Sequence, residues 1–137
     1  VPGVRIGFLT SPTVAPLLEY HPDVDYVRTI RFADPLKELR LAFSQGVEAA
    51  IFLKPFRRLM WAAWVAGVPI RVATAYRWYS LLANRRIYEH RSEFAKHESE
   101  YNVDMIQGLG LPPQPVGQPV LTLTEAERAA GASRWSG

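Results

Sequence analysis

Residues 76–88 mix arginines and aromatic residues without a clear period, a composition suited to binding an anion. The stretch contains Arg77, Trp78, Tyr79, Asn84, Arg85 and Arg86. A guanidinium group binds phosphate or carboxylate through paired hydrogen bonds, and an aromatic face holds a sugar ring or a base. This combination fits an anionic saccharide and, equally, a single-stranded nucleic acid. The spacing does not separate the two, and a surface loop with scattered arginines is a third interpretation.

Two further arginines stand at the start of a predicted helix that follows a predicted strand. Trp61 and Trp64 come four and seven residues after Arg57, which places the three on one helix face. A basic residue in the first turn of such a helix points toward the carboxyl edge of a parallel sheet, where folds of this kind bind ligands. We expect both tryptophans to lie in the core. Arg57 and Arg58 either contact the ligand or are solvated.

A later predicted helix carries polar residues on an otherwise apolar face. Glu98 and Asn102 are one helical turn apart and share this face with apolar residues further along the chain. Polar side chains that face a core need hydrogen-bond partners. We therefore expect Glu98 and Asn102 to hold residues 76–88 in place. Lys96 and His97, beside them, either contact the ligand or are solvated.

The charge distribution also indicates an anionic partner. The whole chain has a formal net charge of +3. From Lys54 to Lys96, however, nine lysines and arginines stand against two glutamates, a net charge of +7. A basic segment within a mildly acidic chain predicts an anionic partner, which could be a phosphate, a sugar acid, a nucleic acid or a lipid head group.

Several kinds of chemistry have no support in the sequence. The chain has no cysteine, which excludes disulfides, thiolate metal sites and cysteine nucleophiles. Its three histidines, at positions 21, 90 and 97, lack the spacing of a helical metal pair, so we predict neither a metal site nor a cofactor. There is no glycine-rich phosphate loop, no nucleophile elbow and no evident general base. The apolar, uncharged run from Leu59 to Ile70 is too short to span a bilayer, and we expect a cytoplasmic location.

The elements that position these side chains follow from the apolar pattern. Pro12 and Pro35 each follow a capping residue, Ser11 and Asp34, and predict helix starts. Predicted strands alternate with predicted helices: strands at 5–9, 27–32, 49–53 and 70–73, and helices at 12–20, 35–46 and 55–66. This order predicts an α/β fold with a mostly parallel sheet and flanking helices. Residues 76–88 are predicted to be a loop with one helical turn, and residues 92–109 a helix.

The end of the chain has a different composition. We predict one lobe at residues 1–111 and a stiff linker at residues 112–119, because four of these eight residues are proline. Residues 120–137 then form a stub, in which Thr124 and Glu127 have the spacing of a capping box. Because the chain opens directly on a strand and the linker leads only to a stub, we expect it to be a piece of a longer protein.

Short motifs in a fixed order resemble a known family. They are Arg5-Ile-Gly-Phe-Leu-Thr, Leu17-Leu-Glu, Pro22-Asp-Val-Asp, Gly67-Val-Pro-Ile-Arg-Val, Arg77-Trp-Tyr-Ser, Asn84-Arg and Lys96-His-Glu-Ser-Glu-Tyr-Asn. Together, over residues 4–111, they resemble the lipopolysaccharide heptosyltransferases of glycosyltransferase family 9. Arg77-Trp-Tyr and the motif that begins at Lys96 are the most specific part.

The resemblance implies a two-lobed GT-B enzyme with Rossmann-like halves, which transfers heptose from ADP-heptose to the lipopolysaccharide inner core without a metal. This chain would be the acceptor-binding lobe. The donor-binding lobe, the first strand and the catalytic base would lie outside it, the base upstream of Val1, so the chain alone is expected to be inactive. Residues 52–55 depart from the family's usual turn. The candidate acceptor-binding residues are Arg57, Arg58, Arg77, Arg85, Arg86 and Lys96, with Glu98 and Asn102 orienting the loop.

The expected partners follow from the same resemblance. They are a nucleotide-sugar donor held by the absent lobe, an anionic lipopolysaccharide acceptor, and the inner face of the inner membrane as a peripheral contact. No nucleic acid is expected on this interpretation. The alternative is a non-catalytic basic module that binds nucleic acid or another polyanion. A fragment with no independent function is a third hypothesis.

Overall fold

The computed structural model describes residues 3–31, 33–44, 46–89 and 95–135. These residues form five strands: β1 Gly7–Thr10, β2 Tyr26–Thr29, β3 Ala49–Ile51, β4 Ile70–Thr74 and β5 Arg85–Ile87. Their α-helices are α1 Leu36–Leu41, α2 Arg57–Val65, α3 Glu98–Asp104 and α4 Glu125–Trp135. Every described strand pair is parallel. The predicted α/β fold with a parallel sheet and flanking helices is therefore confirmed.

The chain divides into two compact units, Val1–Ala33 with Gln118–Gly137, and Asp34–Gly117. In the first unit β1 pairs with β2, and Gly7 stands opposite Tyr26. A Cβ atom on Gly7 would lie 2.1 Å from the Tyr26 ring, so only glycine leaves room for this phenol. The predicted boundaries at residues 111 and 119 stay predictions.

The predicted helix at residues 12–20 is wrong. The chain instead forms turns and a short 3-10 helix, Ala15–Leu17, in which Leu17 N–H donates to Val14 O at 3.0 Å. Pro16 lies in the middle of the segment and has no N–H to donate back to Pro12, so an α-helix cannot continue through it.

The last helix begins as predicted. The Thr124 backbone N–H donates to Glu127 Oε2 at 2.8 Å, and the Glu127 N–H donates to Thr124 Oγ1 at 3.2 Å. These reciprocal bonds are a capping box. The hydrogen bonds from Thr124 also hold the pKa of the Glu127 carboxyl below its ordinary value. Residues 111–124, which contain the predicted linker, have no helix or strand.

The second unit contains a three-stranded parallel sheet in the order β3-β4-β5. Strand β5 lies within residues 76–88, so the prediction of a loop there is corrected to a 3-10 helix, Trp78–Leu82, followed by a strand. Two of the three residues of β5 are arginines, which is why the apolar pattern did not reveal it. The buried apolar side chains of the described residues all belong to this unit: Leu39, Phe43, Phe52, Met60, Ala62, Ala63, Val68, Val72, Ala73, Ala83, Tyr101 and Met105.

Helices α1 and α2 pack on each other in this unit. Pro35 occupies the N-cap position of α1 and no side chain caps it, so the expected cap by Asp34 is wrong. Helix α2 ends before Gly67, whose φ of +78° closes it as predicted. Its buried residues are Met60, Ala62 and Ala63.

The prediction that both tryptophans of α2 lie in the core is wrong. Trp61 is 44% exposed and Trp64 is 47% exposed. Ala62 and Ala63 face inward because their small side chains let the helix approach its neighbours closely. The helix therefore turns its two indoles outward.

Helix α3 is shorter than the predicted helix at residues 92–109, of which residues 92–94 lie outside the described residues. It begins at Glu98 because His97 caps it: the Ser99 N–H donates to His97 Nδ1, and the His97 N–H donates to Glu100 Oε2 at 2.6 Å. The chain continues as a 3-10 helix, Met105–Leu109. No helix of the described ranges has the length and apolar character needed to cross a membrane.

Candidate anion-binding site

The carboxyl ends of β3, β4 and β5 meet at one edge of the Asp34–Gly117 unit, which we call the carboxyl edge. Phe52 N–H, just after β3, donates to Val72 O at 2.9 Å. Ala75 N–H, just after β4, donates to Ile87 O at 3.1 Å. Ligands of open parallel sheets bind at this edge. The residues that follow the three strands there are 52–57, 75–78 and 88–89.

Exposed aromatic rings stand along the carboxyl edge. Tyr76 and Tyr88 meet edge to face, with their ring centroids 6.5 Å apart and their planes at 88°. Trp78 meets Tyr79 in the same manner at 5.6 Å. Tyr88 and Trp78 are about seven-tenths exposed. These rings can stack on a sugar or a base.

The 3-10 helix that carries Trp78 is fixed to the start of α2. The Tyr79 hydroxyl donates to Pro55 O at 3.0 Å. Within the segment, the Ser80 hydroxyl donates to Ala75 O at 2.9 Å, and Ser80 itself is buried. These bonds hold the aromatic rings on a rigid support rather than on a free loop.

Two of the predicted arginines reach the carboxyl edge. The Arg57 guanidinium carbon lies 6.0 Å from the centre of the Trp78 ring, within the range of a cation–π contact. Arg77 directly precedes Trp78 and is exposed. Lys54, which was not predicted, joins them with its Nζ 5.5 Å above the Phe56 ring. The edge thus combines three cations with exposed rings.

Arg58 has a contact within the protein. Its guanidinium Nη2 donates to Asp34 O at 2.7 Å and so ties α2 to the residues that precede α1. Arg57 and Arg58, adjacent in sequence, therefore have different surroundings.

Arg85 and Arg86 do not form one clamp. They are consecutive residues of β5, and successive strand residues point to opposite faces of a sheet. Arg85 pairs in register with Val72, whose side chain faces Gly108 of the second 3-10 helix of this unit. Arg86 pairs with Ala73 and lies on the other face. A ligand bound on one face meets only one of the two arginines directly.

Lys96 lies between two carboxylates. Its Nζ is 2.7 Å from Glu89 Oε1 and 2.7 Å from Asp104 Oδ2. The hydrogen bond that Lys96 donates to Asp104, followed by the one that it donates to Glu89, raises the pKa of Lys96 well above its ordinary value. The hydrogen bond from Lys96 in turn lowers the pKa of Asp104. The positive charge of Lys96 is therefore balanced by two carboxylates of the protein itself.

Glu98 and Asn102 lie on α3, Glu98 exposed in its first turn and Asn102 half-buried. Their predicted role in holding residues 76–88 stays a prediction.

The hydrogen bonds that anchor residues 76–88 to β4 come from Asn84 and Arg71. The Arg71 N–H donates to Asn84 Oδ1 at 2.8 Å, and Asn84 Nδ2 donates to Pro69 O at 2.6 Å. Arg71 Nε donates to Leu82 O at 2.8 Å.

Sequence reasoning missed four residues of the carboxyl edge: Lys54, Tyr76, Tyr88 and Glu89. Each follows a strand end, which was the available signal, but Tyr88 and Glu89 could not be placed before β5 was recognised. Arg71, a single charge within an apolar strand, also signals a buried hydrogen-bonding role. The described residues contain no group of three or more His, Asp and Glu side chains placed to hold a metal ion.

Comparison with known proteins finds similarity to glycosyltransferases. No family model matches the chain. A 45-residue segment, 33% of this chain, is 40% identical to a Haemophilus influenzae protein named "Putative glycosyltransferase", of which it covers 13%. The crystal structure of the glycosyl transferase family 9 from Veillonella parvula DSM 2008 superposes with a TM-score of 0.78 and 16% identity. The match covers 96% of this chain and 40% of that chain. The chain therefore has the α/β fold of part of a glycosyltransferase family 9 structure.

Proposed function

We propose that this chain is the acceptor-binding part of a glycosyltransferase related to family 9. The observation that carries the proposal is the superposition on the Veillonella parvula structure over 96% of this chain. The 45-residue similarity to the Haemophilus influenzae protein supports the same class. The chain spans 40% of the first protein and 13% of the second, and on this proposal the donor sugar is held by a further lobe.

The proposed reaction is transfer of heptose from ADP-heptose to the lipopolysaccharide inner core. The motifs around Arg77 and Lys96 support this choice, since they are the most specific part of the resemblance. The chemistry of the carboxyl edge agrees with such an acceptor. Guanidinium groups of Arg57 and Arg77 suit phosphates and sugar-acid carboxylates, while the rings of Tyr76 and Trp78 suit the apolar face of a sugar.

In this reaction an acceptor hydroxyl loses its proton to a base and attacks the anomeric carbon, while the nucleoside diphosphate leaves. The described residues contribute binding and orientation of the acceptor. Holding the reacting groups in the right position can supply about 7–11 kcal/mol of barrier reduction in favourable cases. We assign no base within this chain.

Acceptor binding tests the proposal. The chain is titrated with a heptose-free glycolipid that carries phosphates and an acidic inner-core sugar. We expect saturable binding, weakened about tenfold or more in Arg57→Ala because one charge-assisted contact is lost. Arg134→Ala, on the exposed α4 of the other unit, is the matched control and should bind as the unmodified chain does. The complete gene product, given ADP-heptose and the same acceptor, should form the heptosylated product.

Single-stranded nucleic acid is the second candidate ligand, favoured by the exposed rings of Trp78 and Tyr88 beside Lys54 and Arg57. Base stacking on such rings tolerates any sequence, and phosphate contacts make the affinity fall steeply with salt. The same titration with a single-stranded oligonucleotide at two salt concentrations separates the candidates. Tight, salt-dependent oligonucleotide binding without glycolipid binding would overturn the glycosyltransferase proposal.

A further inference from the structure

The exposed side of helix α2 is apolar toward its carboxyl end and basic at its amino end. It consists of Arg57, Arg58, Trp61, Trp64 and Val65, which we call the α2 outer face. Helical spacing of three and four residues brings these side chains onto one continuous strip. The strip lies opposite the buried residues Met60, Ala62 and Ala63.

The apolar part of this face consists of Trp61, Trp64 and Val65, all of them exposed. The indoles of Trp61 and Trp64 touch each other, with ring centroids 5.1 Å apart and planes at 53°. Both are nearly half exposed, and Val65 beside them is 40% exposed. Tryptophan, which combines an apolar ring with a polar N–H, is enriched where a bilayer meets water. An exposed apolar patch of this kind marks an interaction surface.

The charge around the face is mostly positive. Residues 49–88 contain seven lysines and arginines and no aspartate or glutamate. Helix α1, which packs against α2, adds the exposed Lys37 and Arg40 against a single acid, Glu38. A second copy of this chain would bring a surface with the same excess of positive charge, and like charges would oppose the contact. An anionic surface is the complementary partner.

We propose that the α2 outer face docks onto the surface of an anionic lipid bilayer. Trp61, Trp64 and Val65 enter the head-group region, and the neighbouring cations contact lipid phosphates. Arg57 belongs both to this face and to the carboxyl edge, so docking would bring the candidate site next to a lipid-linked acceptor. That consequence rests on the proposed function, whereas docking itself is measured without any acceptor.

Vesicle co-sedimentation of the full chain tests docking. We expect binding to vesicles of phosphatidylcholine with about one third phosphatidylglycerol to be about tenfold tighter than to phosphatidylcholine alone, and to weaken with added salt. The double variant Trp61→Ala, Trp64→Ala should lose about tenfold in binding. The matched control is Trp135→Ala, because this tryptophan is 90% exposed on α4 and lies outside the face. Its binding should not change.

A second measurement leaves the residues of the α2 outer face unchanged. The variant Trp78→Phe, Trp135→Phe keeps Trp61 and Trp64 as its only tryptophans. Brominated lipids in the anionic vesicles should quench its fluorescence. Absence of quenching, equal binding to both vesicle types, or unchanged binding of the Trp61→Ala, Trp64→Ala variant would each overturn the proposal. A dimer in solution that depends on these tryptophans, without vesicle binding, would overturn it in favour of a second copy. Docking without glycosyl transfer would leave this proposal standing and refute only the proposed function.

Discussion

Lys96 and Asp104 form an ion pair 2.7 Å long that joins the residues just before α3 to its last residue. The same ammonium group contacts Glu89, two residues after β5, also at 2.7 Å. One lysine thus ties the end of a strand to the end of a helix. Both carboxylates are mostly buried, with side chains about 15% exposed, which indicates a structural role for the contact. We therefore expect Lys96 to act as a positioning residue for the carboxyl edge.

Replacing Lys96 by alanine is expected to lower stability. The substitution leaves Glu89 and Asp104 next to each other without a shared cation, and their like charges then repel. Lys96→Arg should restore part of the loss because it keeps the charge. The melting temperature measures the effect, with exposed Lys37→Ala as the control. Equal melting temperatures for Lys96→Ala and the control would contradict the positioning role.

The same ion pair predicts a dependence of stability on pH. The folded-state pKa of Asp104 is lowered below its ordinary value of 3.8, so its contribution is present above that value and is lost as the pH falls further. Asp104→Asn should therefore reduce the free energy of unfolding at pH 7, and the difference from the unmodified chain should shrink below pH 3.8. Urea unfolding at a series of pH values measures it. The lowered pKa of Glu127 affects both proteins alike and cancels in the comparison.

A glycine in the Met105–Leu109 segment is expected to be required by close packing on the sheet. A Cβ atom at Gly108 would lie 2.4 Å from Cγ1 of Val72, a buried residue of β4. Gly108→Ala should therefore destabilise the chain by about 1–3 kcal/mol, the usual effect of overpacking a core. Gly117→Ala is the control, because nothing lies within 4 Å of its added Cβ. Denaturant unfolding of both variants measures the difference, and equal midpoints would contradict the prediction.

The order of strands and helices could be predicted because each strand except β5 is a short apolar run between turn signals. Strand β4 and the end of α2 at Gly67 follow such local signals and are confirmed. The helix predicted at residues 12–20 does not form because Pro16 breaks it, although Pro12 is a favourable first residue of a helix. The two prolines favour different structures there, and the backbone hydrogen bonds form turns and a short 3-10 helix instead of an α-helix.

The candidate site was less predictable because it depends on pairing between distant residues. Nothing in the local sequence around Arg85 shows that it pairs with Val72, and without that register the two neighbouring arginines look like one clamp. Likewise, the charge of Lys96 looks available until Glu89 and Asp104 are placed beside it. The types of residue in the candidate site were predictable from the sequence, whereas the faces on which their side chains lie depend on the strand pairing of the sheet.

The last prediction follows from the opposite orientation of Arg85 and Arg86 on β5. If the proposed acceptor binds on one face of β5, one of the two alanine variants should weaken acceptor binding by about 1.5–3 kcal/mol, the value of one charge-assisted hydrogen bond. The other should bind nearly as the unmodified chain does. Lysine at the sensitive position should restore only part of the affinity, because an ammonium group cannot form the paired hydrogen bonds of a guanidinium. Calorimetric titration of the two alanine variants and the lysine variant with the acceptor glycolipid measures this. Equal losses in Arg85→Ala and Arg86→Ala would show instead a general charge effect, since two residues on opposite faces contribute equally only when the ligand responds to the overall potential.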